Sequence, residues 1–209
     1  MPKVYSETER TDIKDSLKRE ANILMIERGI KKTTVDELVK RAGIPKGTFY
    51  LFYPSKEMLL FECIQDFHNE ADKIISDGME QIIRKYKSRT KGKRFSNECL
   101  DEITDVLMEA INITRGSCLK IMLDPESMNL LISKLPEDVL KKHGNDSKEN
   151  ILLEFFGIKD KEKIQAISGS FTLILLGLIY SPVLGDELAE KSTRLLVRGL
   201  VDQMSSSIC

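Results

Sequence analysis

The sequence predicts an all-α protein with an N-terminal three-helix helix-turn-helix head, a larger C-terminal helical body and about nine helices in total. Three observations predict this. Apolar residues recur at intervals of three and four along most of the chain. Capping signals open the periodic runs and glycines close them. No alternating apolar and polar run bounded by hairpin turns is present.

The elements follow in order. Ser6-x-x-Glu9 is a capping box, after which Ile13, Leu17, Ala21, Leu24 and Met25 keep helical spacing until Arg28-Gly29. Thr34-x-x-Glu37 opens a second helix with Val35, Leu38, Val39 and Ala42 on one face, and Gly43 closes it. Pro45 suits the first turn of a third helix, which stops near Tyr53-Pro54. Ser55 caps a fourth, apolar at Met58, Leu59, Phe61, Ile64 and Phe67. Further helices are predicted over Leu100–Ile113, Ser117–Leu123 and Glu126–Leu135, then from Pro136 to Phe156 with a break near Gly144 to Asp146. Ile164 to Gly185 lacks any charged residue and is long enough to span a bilayer. Its glutamine, serines, threonine and proline, with a stripe of mostly small residues at Ala166, Gly169/Ser170, Leu173 and Gly177, favour a buried packing helix. Glu187 to Met204 is amphipathic through Leu188, Leu195, Leu196, Leu200 and Val201. These last two helices suit a four-helix bundle with their copies in a homodimer.

Composition is that of a soluble globular protein, with 41% hydrophobic and 31% charged residues in 209. The net charge of −1 divides unevenly. Residues 1–56 carry 12 Lys/Arg against 8 Asp/Glu, or +4, and residues 57–209 carry 20 against 25, or −5. A basic head on an acidic body fits a nucleic-acid-binding segment joined to one that does not bind DNA. No secretory signal is visible, so a cytoplasmic location is expected. Cys63, Cys99, Cys118 and Cys209 form no C-x-x-C pair, and they read as reduced core thiols. The basic segment from Lys85 to Asn97 is either a solvated connection or a second phosphate contact.

Residues 34–56 carry the chemistry. A helix that reads DNA must bring its N-terminal part close to the base edges. Gly47 and Thr48 leave room for that approach, and Thr48 can bond a base or touch a thymine methyl. Lys46 supplies a cation for guanine or phosphate, and Tyr50 can place a hydroxyl on the backbone. Lys56, a cation in the first turn of a helix, opposes the macrodipole and suggests a docked anion. Thr34 offers a hydroxyl and first-turn amides to a phosphate. Phe49 and Tyr53 read as core.

MIERGIKKTTVDELVKRAG followed by GIPKGTFYLFYPSKEML resembles the DNA-binding head of the tetracycline-repressor (TetR/AcrR) family of bacterial transcription regulators. The likeness runs from about Ala21 to Leu59. It implies a DNA-binding domain over residues 1–54 and a ligand-binding and dimerisation domain over 55–209. It also implies a homodimer formed by the last two helices, and repression of a double-stranded operator that a small-molecule effector relieves. Carried over, Thr34, Lys46, Tyr50 and Lys56 would touch phosphate, with Lys46, Gly47 and Thr48 nearest the bases. Phe52 stands where the family often has His or Tyr, and phenylalanine cannot bond a phosphate. It could pack instead on sugar or a thymine methyl. An apolar, adaptable effector pocket is expected from Met108, Met122, Met128, Phe155, Phe156, Phe171 and Tyr180.

Catalysis has little support. His68 and His143 make no set with a nucleophile, and no dinucleotide, Walker or H-E-x-x-H motif is present. No cofactor or metal is expected. The rival reading is a helical adaptor or small-molecule-binding protein without DNA binding.

Overall fold

The computed structural model describes residues 5–86, 95–113, 119–145, 151–179 and 183–206. Among them every regular element is helical: α1 Glu7–Lys32, α2 Val35–Ala42, α3 Lys46–Phe52, α4 Lys56–Tyr86, α5 Asn97–Asn112, α6 Leu119–Met122, α7 Pro125–Ile132, α8 Glu137–Asn145, α9 Ile151–Phe155, α10 Lys161–Ile179 and α11 Asp186–Ser205. The all-α prediction holds. Eleven helices stand among the described residues against the nine or so expected, and α6 falls within the predicted Ser117–Leu123. The predicted helix Pro136–Phe156 is observed as α8 and α9; residues 146–150, including part of the expected break, lie outside the described residues. So do residues 87–94 of the basic segment, Tyr180, Cys118 and Cys209.

Packing divides the chain into two units. The first takes in residues 1–68 and 116–144, and the second residues 69–115 and 145–209. This line differs from the division expected at residue 54, because α6 to α8 pack with the N-terminal helices and α4 contributes to both units.

In the first unit, α1 supplies Leu17, Ala21, Leu24 and Met25 to a core completed by Leu38, Phe49, Leu59, Leu60, Ile64 and Leu131. Ser6 and Glu9 form the predicted capping box. Gly29 interrupts the helical run at φ 76°, and one further turn carries the chain to Lys32. Lys18 ties α1 to α4 through Glu62 and Asp66, both at 2.7 Å. Burial works against its charge, but these hydrogen bonds outweigh it and raise its pKa. Two ion pairs hold α2 to α1: Arg28 to Glu37 at 2.6 Å and Arg41 to Glu27 at 2.8 Å.

In the second unit, α11 packs against α5, with Arg194 to Asp105 at 2.6 Å and Arg198 to Asp101 at 2.8 Å. Ser96 caps α5, accepting from the Cys99 amide. Cys99 is a buried free thiol whose pKa burial pushes up to about 11, so it stays protonated and inert at neutral pH. Phe95, Phe155 and Phe156 form a ring cluster with centroids 5.0 to 5.3 Å apart. The burial expected for α10 is only partly supplied by its own chain. Within the single chain α10 buries only Ile167, Ile174 and Leu178. The rest of this helix, which is long and apolar enough to cross a membrane by length and composition, is largely uncovered by its own chain. The physical reason is that only one stripe of α10 is packed.

Helices α4 and α5 approach closely at Gly78. A Cβ placed there would lie 2.5 Å and 2.7 Å from the two methyls of Val106, a side chain stiff at χ1. Alanine gains about 1 kcal/mol in helix propensity over glycine, whereas overpacking costs about 1–3 kcal/mol. Gly78→Ala should therefore lower the urea midpoint, and adding Val106→Ala should relieve the overlap. Measured midpoints that rise in the single variant would rule out so close an approach.

Candidate nucleic-acid interface

The turn between α2 and α3 is built by its glycine. Gly43 has φ 68°, in the left-handed region where a side chain is strained. Its N–H and that of Ile44 both bond the Val39 carbonyl, satisfying the end of α2 and redirecting the chain. Pro45 is the N-cap of α3. Thr34 caps α2, its hydroxyl accepting from the Glu37 amide, and it remains exposed at that helix start.

Helix α3 has two unlike sides. Phe49 is fully buried, and Thr48 is only 6% exposed, its hydroxyl 3.0 Å from that of Tyr5. Facing outward are Lys46, Gly47, Tyr50 at 51% and Leu51 at 58%. A Cβ at Gly47 would meet nothing within 4 Å, so the surface there is open. Lys46 bonds Asp36 of α2 at 2.8 Å, and that hydrogen bond and charge raise its pKa. Its ammonium is cationic at neutral pH, exposed, and able to exchange one anion for another.

Three expectations change in role. Thr48, expected nearest the bases with Lys46 and Gly47, is tucked against Tyr5 because α3 must bury the side that carries Phe49. Lys56 donates to the carbonyls of Ile30 at 3.0 Å and Thr33 at 2.5 Å. The cation that opposes the start of α4 thus serves the negative end of α1, and no anion is needed to explain it. Burial lowers its pKa. Phe52 is half-buried, with the Arg10 guanidinium 4.9 Å from its ring centre and the Tyr5 ring at 6.2 Å. It is a platform for Arg10. Tyr53 is core, as expected; burial and then Glu62 hold its phenol above the usual pKa.

Tyr5, Arg10 and Leu51 are the neighbours that sequence reasoning missed. Leu51 was legible in principle, since it stands four residues after the outward position 47, but only the burial of Phe49 decides which side faces out. Tyr5 and Arg10 meet α3 through tertiary packing alone.

The residues expected to line an effector pocket are divided between the two units. Met122 packs against the core of the first unit, whereas Met108, Phe155 and Phe171 belong to the second. Met108 borders an open groove of about 530 Å³ with Asp105, Glu109, Asn112, Ile113, Glu190 and Arg194. Phe155 and Phe171 are partly buried against the second core. Among the described residues no cluster of His, Cys, Asp and Glu suits a metal ion.

A short helix with one buried and one open face, set after a glycine turn and carrying an exposed cation, defines a helix-turn-helix DNA-binding head. Residues 19–63 match the family of bacterial regulatory proteins, tetR family, and this head belongs to it. Over 58 residues the chain is 41% identical to the HTH-type transcriptional regulator YdgC of Bacillus subtilis, covering 28% of this chain and 29% of that protein. It therefore spans less than a third of that relative. The TetC protein of transposon Tn10 from Escherichia coli is 25% identical over 181 residues, covering 79% of this chain and 90% of its own. The crystal structure of a tetR-family regulator from Shewanella shares the fold, with a TM-score of 0.53 at 11% identity over 90% of this chain and 96% of that one.

The geometry separates Lys56, which holds two carbonyls, from the exposed Lys46. Lys56→Met leaves two carbonyls without their donor and should cost about 1–3 kcal/mol of stability, read by thermal melting. Lys46→Ala should leave the melting temperature unchanged. A Lys46→Ala loss as large as that of Lys56→Met would mean that Lys46 is structural as well.

Proposed function

We propose that the chain is a homodimeric, ligand-responsive transcriptional regulator, a repressor, that binds a pseudo-palindromic double-stranded operator in the cytoplasm. Residues 1–54 bind DNA and residues 55–209 bind effector and dimerise. The observation that carries the reading is the outward face of α3, where Lys46, Gly47 and Tyr50 stand clear of the core within a tetR-family head. Exposed Thr34 and the first-turn amides of α2 offer a phosphate site beside it.

The dimer reading is supported by α10 and α11. Leu173 is 70% exposed and Leu195 75%, with Leu188 and Leu196 also uncovered. Small residues at Ala166, Gly169, Gly177 and Gly199 are exposed on the same two helices. Helix α11 meanwhile spends a separate stripe, Ala189, Thr193, Val197, Val201 and Met204, on its own chain. An apolar surface of this kind would be covered by a second copy through a two-fold four-helix contact. That arrangement also accounts for the uncovered α10 without a membrane.

The effector is a small, largely apolar molecule held by the aromatic and methionine side chains of the second unit, Met108, Phe155 and Phe171 among them. Its binding shifts α4, which runs through both units, and changes the spacing of the two heads. Such coupling requires the effector to favour the spacing that misfits DNA. Equal operator affinity with and without a verified effector would refute it.

Two measurements test the core of the reading. With about four phosphate contacts per head, the logarithm of affinity should fall with the logarithm of salt at a slope near −7. Gel shifts on the DNA upstream of its own gene would supply the number, and a slope shallower than about −3 would exclude this docking. In sedimentation, Leu173→Glu with Leu195→Glu should convert a dimer to a folded monomer that has lost operator affinity. A variant that sediments as the parent does would place the dimer contact elsewhere.

A further inference from the structure

We propose that Leu51 is a specificity-determining residue that packs against the 5-methyl group of a thymine in each half of the operator. The inference rests on the DNA-binding reading above and names a contact within it.

An exposed leucine is by itself ordinary. Leu51 differs in its setting. Gly47, Tyr50 and Leu51 fall at i, i+3 and i+4, so they share one face of α3. The other sides of that helix are occupied: Phe49 enters the core, Thr48 bonds Tyr5, and Phe52 lies beneath Arg10. Leu51 is thus the apolar group on the face turned outward, 58% exposed. The missing side chain at Gly47, with nothing within 4 Å of a built Cβ, allows close approach one turn before it. A leucine has no donor or acceptor, so it cannot read a base by hydrogen bonds. In the major groove the apolar mark of a base pair is the thymine methyl. Facing a phosphate or a guanine edge instead, Leu51 would desolvate a polar group with no compensating bond.

The test uses the full chain. Bound sequences are first selected from random duplexes. Each thymine of the selected site is then replaced singly by deoxyuridine, which removes only the methyl. At one thymine per half-site the replacement should weaken the parent by about threefold to fivefold, the effect of one buried methyl. Leu51→Ala should bind the thymine site more weakly and be indifferent to that replacement, a non-additive cycle that a merely structural role would not produce. As a second variant, Leu51→Gln should shift the selected base at that pair and leave the other positions unchanged. The proposal is overturned if deoxyuridine costs parent and Leu51→Ala equally at every position, or if selection returns half-sites whose preferences Leu51→Gln does not alter. Failure to select any sequence would sink the DNA-binding reading and this contact with it. A selected site without the methyl effect would sink the contact alone.

Discussion

A helix of seven residues cannot sustain itself in water, because nucleation costs more than its few hydrogen bonds return. Helix α3 is therefore held by its burial, above all by Phe49 in the core made by α1 and α4. That one anchor sets the rotation of the helix. With Phe49 turned in, Thr48 is drawn against Tyr5, and Gly47, Tyr50 and Leu51 are turned out. The outward face of α3 is what remains after packing has taken its share.

Charge in the head is arranged around the same constraint. Arg28, Arg41 and Lys46 each have an acidic partner on a neighbouring helix. Exposed pairs of this type contribute little to stability, but they keep the cations oriented at the surface. Lys56 is different, since its ammonium reaches two carbonyls at the end of α1 and stitches that helix to the start of α4. A lysine expected at a phosphate thus supports the scaffold on which the outward residues of α3 stand.

In the second unit, the C-terminal helices carry more apolar surface than one chain can cover. Helix α11 turns one stripe toward α5 and α10 and exposes a second of leucines, so a simple amphipathic pattern was an incomplete description. The sequence pattern merged the two stripes because leucine and valine look alike in either role. The expected pocket suffered from the same degeneracy: Met108, Met122, Phe155 and Phe171 are apolar residues on helices, and chain spacing alone could not show that Met122 falls in a different unit.

Local signals were legible where a single residue type has a single physical use. Ser6, Thr34 and Ser55 cap their helices because a hydroxyl satisfies first-turn amides, and Gly43 closes α2 because few other residues tolerate its backbone. Helix order, the all-α class and the position of the helix-turn-helix followed from such signals, since they act within one or two turns. The orientation of α3, the partner of Lys56, the Arg10–Phe52 stack and the uncovered face of α10 were decided by tertiary structure. Each depends on which surfaces meet across long stretches of chain, and hydrophobic periodicity marks a surface as apolar without naming what covers it.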